Sequence, residues 1–321
     1  MPSSFPAELK EAAERFLTTE FVTVDGAGRP IVWPVTPYFR HGDDCIDVTT
    51  GVGYPKKADD AARNPRVALL FSDATGSGVQ DPPSVLVQGV ARVDDEDLAA
   101  NRRRFESEFE AKLPGLAAMA PREPLKRMFS WYYDRIYLHV RPERVYVWPN
   151  GDLEAEPTLY DYHLEEVRSG HNEEPEEGHA PPEGGLDVWD ARMDRLGRED
   201  PTAVLAFVGP DGFPFAVRVP VRADPAAILV HVDADPLGAP IEAGPACLCA
   251  HSHAEDFSWQ QSFQVRGDLV EEHGRWTLHP HKVVSGLQLP SSAIERYRVN
   301  IRKVLRFRRT ARERERTPSR A

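Results

Sequence analysis

Apolar positions change their period early in the chain. Leu9, Ala12, Ala13, Phe16 and Leu17 recur three and four residues apart with Glu and Lys between them, which predicts a short amphipathic helix over Pro6 to Leu17. The period then falls to two. Phe21, Val22 and Val24 lead into the turn Asp25-Gly26-Ala27-Gly28, and Ile31 to Phe39 returns, so this stretch predicts a hairpin. Pro34 and Pro37 have no ladder donor, which places the returning strand at an edge or a bulge and leaves backbone free to face a ligand. Ile46 and Val48 alternate with Asp47 and Thr49 in a strand over residues 45–50. Gly51, Gly53 and Pro55 predict a turn, and Lys56 to Arg63 has the length of about two helical turns. Pro65 disfavours helix at Asn64, and Val67 to Phe71 is a continuous apolar run that reads as strand.

Ser84 to Val93 is a further strand, interrupted by Gly89. A charged helix is predicted from Asp94 to Met119, with Leu98, Phe105 and Phe109 on its apolar side. Arg135–Val140 and Arg144–Trp148 predict a closing pair of strands around Arg141-Pro142-Glu143. Short strands with one crossover helix favour a small barrel over a doubly wound sheet.

The same arrangement returns downstream. Phe21 to Val32 resembles Val204 to Phe215, Ile46-Asp-Val matches Ile228-Leu-Val, Pro65-Arg-Val matches Pro245-Ala-Cys, and Val87-Gln-Gly matches Val265-Arg-Gly. The expected fold is therefore mainly β (α+β), with two barrels of about six antiparallel strands and flanking helices. The first spans residues 1–150 and a degenerate second spans 186–293. An acidic Pro/Gly/His linker over 151–185 joins them, and a basic helix and tail over 294–321 follows.

Composition narrows the function. The formal charge of −12 argues against general nucleic-acid binding and favours a soluble protein with a small-molecule substrate. The basic C-terminal segment has thin aromatic interleaving, and its expected partner is the acidic body or solvent. Three cysteines, no secretion-type start and no long apolar run give the expectation of a cytoplasmic protein without membrane spans.

The candidate chemistry lies between Cys45 and Ser72. Thr49 and Thr50 at a strand end, Lys56 and Lys57 at a helix start, and nearby backbone donors make an anion site of the size of a phosphate. The downstream copy has Val232-Asp-Ala-Asp-Pro-Leu-Gly in its place, which would repel a phosphate. Cys247, Cys249, His251 and His253 occupy alternate positions of a strand. Such a line cannot close a tetrahedron alone, so packing explains them better than metal, and no metal site is expected there. His163, His171 and His179 in the linker read as solvated. No Gly-x-Ser-x-Gly, Walker, Gly-x-Gly-x-x-Gly or His-Glu-x-x-His pattern occurs.

Taken in order, the Phe21-to-Pro30 hairpin, Ile31 to Tyr38, Val48-Thr-Thr with Lys56-Lys57, Asn64 to Phe71, Val85 to Ala91 and Arg141 to Trp148 resemble the pyridoxamine 5'-phosphate oxidase-like family of FMN-binding split β-barrels, with its flavin/deazaflavin oxidoreductases. The resemblance implies a flavin-dependent oxidoreductase that transfers hydride at FMN or the deazaflavin F420, with the cofactor in a groove at a homodimer interface or between the two barrels as an intrachain pseudo-dimer. It implies that Thr49, Thr50, Lys56 and Lys57 hold the phosphate, that Val35 and Thr36 present backbone to the ring, and that Ser84, Gln88 and Trp148 lie near ring or ribityl. The family's substrate-binding Arg/His set near the C-terminus is missing, so neither the substrate nor a catalytic residue is assigned. The alternative is a non-catalytic module holding flavin or haem, with His251, His253, His273, His279 and His281 available for iron.

Overall fold

The computed structural model describes residues 5–40, 42, 44–118, 120, 126, 129–162, 188–233, 238–286, 307 and 309–311. Helix α1 (Ala7–Arg15) buries Leu9, Ala12 and Ala13, the face its periodicity predicted. Strands β1 (Thr19–Val24) and β2 (Pro30–Val35) form the hairpin, followed by β3 (Ile46–Gly51), α2 (Lys56–Arg63), β4 (Arg66–Phe71) and β5 (Ser84–Asp94). α2 has the predicted bounds.

Three elements differ from expectation. The charged helix is two helices, α3 (Leu98–Lys112) and α4 (Pro114–Ala118), because Pro114 disfavours helical geometry at Leu113. After α5 (Ser130–Tyr133), the expected pair of closing strands is one continuous strand, β6 (Arg135–Trp148). Pro142 is absorbed without breaking it: Gly89 faces Pro142, Gln88 faces Arg144, and Glu143 is the extra residue of a bulge. Gly89 is required there, since a Cβ would stand 2.3 Å from the Arg141 carbonyl oxygen. Finally, β7 (Thr158–Asp161) lies in the stretch expected as linker and pairs with β6. The linker histidines His163, His171 and His179 lie outside the described residues, as does nearly all of the basic tail.

The first sheet has the order β2-β1-β4-β5-β6-β3, with β7 beside β6. The proline-bearing β2 sits at its end, as the missing proline donors require. Just past it, Tyr38 and Asp47 exchange both backbone hydrogen bonds at 2.8 Å, which brings the end of β2 beside β3 and curls the sheet on itself.

The second half forms β8 (Thr202–Val208), β9 (Pro214–Asp224), β10 (Leu229–Val232), β11 (Gly244–His253), β12 (Gln260–Glu272) and β13 (Arg275–Ser285). They close a barrel ordered β10-β13-β12-β11-β8-β9, the order of the first sheet when its strands are taken in sequence. A bulge recurs at the corresponding place, where Gly267 faces Pro280 and a Cβ would meet the His279 oxygen at 1.9 Å.

The two barrels share a core. Phe21, Leu69, Val85, Val87 and Val147 point into the first barrel. Their neighbours Val22, Ala68, Leu70, Leu86 and Trp148 point the other way and join the core of the second, with Val204, Phe215, Val217 and Cys249. This explains why Val67–Phe71 is apolar without alternation: both faces of β4 are covered. Gln88 Nε2 donates to the Pro214 oxygen at 3.0 Å, and Gln264 Nε2 donates in return to the Val32 oxygen at 2.5 Å. Among the described residues no helix is long and apolar enough to cross a membrane.

Candidate functional site: a buried lysine at the end of strand β3

Strand geometry divides the predicted threonine pair. Adjacent strand residues face opposite sides. Thr50 shares a face with Ile46 and Val48, which point into the first barrel, and Thr49 shares the other face with Asp47. Thr50 Oγ1 donates to the Tyr54 oxygen at 2.9 Å and accepts from Lys57 Nζ at 3.1 Å. Thr49 faces Tyr137 on β6 instead.

The lysines divide too. Consecutive helical positions point about 100° apart, and Lys56 Nζ reaches Asp60 at 2.9 Å with half its side chain in solvent. Lys57 turns inward and is 7% exposed. Its ammonium lies 5.3 Å from the ring centroids of both Trp33 and Tyr54. Burial, and then repulsion from Arg135, bring it down to about 7 from 10.5. Among the described residues no carboxylate pairs with it, so the two aromatic faces are its partial compensation.

Arg135 is the second buried cation, 6% exposed at the start of β6. Its guanidinium lies 4.0 Å from the Phe105 ring and 4.2 Å from that of Tyr132. Nη1 donates to the Tyr54 hydroxyl at 3.1 Å, and buried Nε has no partner. Burial opposes its charge, but the phenol oxygens of Tyr54, Tyr132 and Tyr38 outweigh it and raise the pKa; among the described residues no carboxylate pairs with Arg135. Tyr54 therefore stands between two buried cations. Residues 52–54 spend their backbone donors locally: Val52 N on Asp134 O (3.1 Å), Gly53 N on Trp131 O and Tyr54 N on Gly51 O (both 3.0 Å). The glycines predicted as turn formers lie in a turn, closed by the Tyr54 N to Gly51 O bond, and are needed for close approach as well. A Cβ on Gly51 would meet the Trp131 oxygen at 2.6 Å, and one on Gly53 would meet Phe307 and Trp131 at 3.0 Å.

Of the expected ring contacts, Val35 and Thr36 lie at the end of β2, the segment that reaches β3 through Tyr38. Ser84, Gln88 and Trp148 lie elsewhere. Ser84 pairs with Trp148, which is fully buried and packs 6.3 Å from Phe215 of the second barrel. Tyr137, opposite Thr49, and Trp148 are separated by roughly 36 Å of strand contour along β6. Ser84 Oγ and Gln88 Oε1 are buried without partners.

Sequence reasoning missed Arg135, Tyr54, Trp33, Trp131 and Phe307. The run Trp131-Tyr132-Tyr133 just before Arg135 was the available signal, since aromatic faces are what a buried guanidinium packs against.

The five histidines weighed for iron do not meet at one point. His251 and His253 each hold a ring nitrogen 3.7 Å from Asp73 Oδ2, with His251 Nε2 2.6 Å from Glu20 Oε1 and His253 stacked on Phe257. His279 and His281 on β13 face Glu272 and Asp268, and His273 occupies a turn between β12 and β13 at φ 54°. Cys247 and Cys249 are fully buried core residues, and burial pushes the Cys247 thiol up to about 11. A cluster of Cys45, Asp47 and His139 places three ligand-type side chains together. Asp47 is already engaged there, with His139 Nδ1 at 2.7 Å from one oxygen and Arg104 on the other.

No family model matches the sequence, and no curated protein matches it. Solved structures do. The chain is similar to the General Stress Protein 26 of Bacillus anthracis str. Sterne (16% identity, 48% of this chain and 95% of that one, TM-score 0.32). It is similar to a putative pyridoxamine 5'-phosphate oxidase from Listeria innocua (16% identity, 44% and 94%, TM-score 0.31). A third is an F420 reductase (18% identity, 45% and 98%, TM-score 0.32).

Proposed function

We propose that the first barrel binds a phosphate-bearing flavin, FMN or F420, and that the protein is an oxidoreductase acting on a small molecule. The observation that carries the reading is Lys57: a buried ammonium near a buried guanidinium, with no carboxylate among the described residues paired to the lysine. Burying an uncompensated cation costs several kcal/mol, and a phosphate in reach of Lys57 Nζ supplies the missing charge. Lys57 holds that anion, with its ammonium positioned by Thr50, and Arg135 Nε, unpaired in its buried position, adds a donor. Trp33, Tyr54 and Trp131 give the apolar surroundings that keep water from an isoalloxazine-type ring. When bound, the flavin supplies the hydride chemistry, and the chain supplies binding, orientation and exclusion of water.

The shared strand order and the reciprocal glutamine-to-carbonyl bonds support reading the two barrels as an intrachain pseudo-dimer. In the second barrel Asp233, next to β10, pairs with Arg222 at 3.4 Å, and no lysine or arginine stands at the position of Lys57 in the acidic loop. One cofactor per chain is the expected stoichiometry.

The test is an absorption spectrum of the purified protein, followed by titration with FMN and with F420. One equivalent of either should bind, and Lys57→Met should lower the affinity at least tenfold. Absence of binding by both cofactors, in the purified and in the reconstituted protein, would falsify the reading.

A further inference from the structure

Cys45, Asp47 and His139 meet on the outer face of the first barrel. Cys45 immediately precedes β3, and Asp47, two residues on in extended chain, projects to the same side. His139 stands directly opposite Asp47 in the ladder between β3 and β6. Cys45 Sγ lies 3.6 Å from Asp47 Oδ1, and His139 Nδ1 lies 2.7 Å from the same oxygen. The three ligand atoms all lie within 4.8 Å of one another.

The surrounding groups leave these three atoms facing each other. Arg104 of α3 pairs with Asp47 through the other carboxylate oxygen, Oδ2, so Oδ1 remains with the cluster. His139 Nε2 is buried without a hydrogen-bond partner and has Asp94 Oδ2, at the end of β5, 3.6 Å away. A histidine that binds a metal through one ring nitrogen turns the other to a carboxylate, carbonyl or water, which fixes the ring and its tautomer. Asp47 is 2% exposed, whereas Cys45 is only partly buried, so the thiol side is the accessible one.

The spacing suits a single ion. In a tetrahedral zinc site, bonds of about 2.3 Å to sulfur and about 2.0 Å to nitrogen and oxygen put sulfur and oxygen about 3.5 Å apart and nitrogen and oxygen about 3.3 Å apart. The Cys45 and Asp47 atoms already stand at that separation. The contact of His139 with Asp47 would open by about 0.6 Å as the ion replaces the proton between them. A thiolate, an imidazole and a carboxylate suit zinc and its first-row neighbours, whereas calcium and magnesium take oxygen ligands.

We infer that Cys45, Asp47 and His139 bind one zinc-class divalent cation, and that Asp94 positions His139 from behind. On binding, the thiol proton leaves to solvent and the imidazole keeps its one proton on Nε2, facing Asp94. Thiolate and carboxylate together balance the charge of the ion. Among the described residues no fourth side chain joins the three, so water takes the remaining place. The site lies on the face of β3 opposite Thr50 and Lys57 and does not depend on the flavin reading.

The experiment uses the full chain, treated with a chelator and titrated with cobalt(II), then with zinc. Wild-type protein should take up one equivalent of cobalt with a thiolate-to-cobalt charge-transfer band and the strong visible bands of a four-coordinate ion, and zinc should displace it. Cys45→Ser should remove the charge-transfer band; Cys247 and Cys249 are fully buried in the second core, so the band reports Cys45. Asp94→Asn should keep the band and lower the affinity about 10- to 100-fold. Circular dichroism of both variants checks that they remain folded, and the wild-type titration stands without them. Wild-type protein that takes up no cobalt overturns the site. So does a charge-transfer band that survives Cys45→Ser, or cobalt uptake without any thiolate band, which would put the ion on histidines and carboxylates elsewhere. Unchanged affinity in Asp94→Asn overturns the positioning role of Asp94.

Discussion

Glu20 and Arg218 meet across the two barrels: Arg218 Nη2 of β9 donates to Glu20 Oε1 of β1 at 2.8 Å, and the Glu20 side chain is wholly buried. Arg218 Nε also donates to Ser72 Oγ at 2.9 Å, and that hydroxyl donates to Glu20 Oε2 at 3.0 Å. His251 Nε2 lies 2.6 Å from the same carboxylate and 2.7 Å from Arg218 Nη2. Together with the two glutamine-to-carbonyl bonds and the Arg144–Asp211 ion pair, these groups fix how the barrels sit together.

Arg218→Leu leaves the Glu20 carboxylate buried with only His251 and Ser72. The expected loss is about 3–5 kcal/mol of unfolding free energy, the cost of breaking a buried pair from one side. The double variant Glu20→Leu/Arg218→Leu should recover much of it. Chemical denaturation of the three proteins checks this, and an unchanged single variant would show that the pair does not hold the interface.

Lys57 makes stability depend on pH. Folded, it loses its proton near 7; unfolded, near 10.5. Between these values the unfolded chain binds the proton that the folded chain lacks, so stability rises with pH across this window, by up to about 1.4 kcal/mol per unit. Below pH 7 the group contributes no slope, and its burial penalty is fully present. Lys112, half-buried where its ammonium donates to the Ala13 and Glu14 carbonyls, also falls to about 7 and adds a slope of the same sign. Denaturation at several pH values from 7.5 to 9.5 should show a slope reduced in Lys57→Met and reduced further in the double variant with Lys112→Met. Phosphate affinity should fall across the same window, because the anion needs the protonated lysine.

Trp148 and Gln88 belong to the barrel interface in this structure. Gln88→Ala should cost about 1 kcal/mol for its hydrogen bond to Pro214, and Trp148→Phe should destabilise through lost packing against Phe215. Neither should change phosphate affinity. A large loss of phosphate binding in either variant would place them at the anion site after all.

The thiols offer a third check on packing. Cys247 and Cys249 are fully buried and held protonated, whereas Cys45 is only partly buried. A thiol reagent should modify about one equivalent in the native protein and three after denaturation, and Cys45→Ala should remove the native reaction.

Much of the fold was readable because it depends on near neighbours. The period of two in Ile46–Val48, the stop at Pro65 and the turn at Asp25–Gly28 are local steric and packing requirements, and α2 has the predicted ends. Where a distant contact decides, local reading failed. Pro142 looked like a break between strands, but Gly89 across the ladder makes room for it. The cationic stretch follows the same rule. Its place is legible in the sequence, and strand alternation and burial separate Thr50 and Lys57 from Thr49 and Lys56. Arg135, Trp131 and Phe307 came to it only through the tertiary fold, because strand pairing and long-range packing join residues that no local spacing relates. The amino-acid sequence thus determined the strands, their turns and where the cationic stretch lies. The packing of one barrel and one aromatic ring against that stretch decided which cations are buried, and burial sets their chemistry.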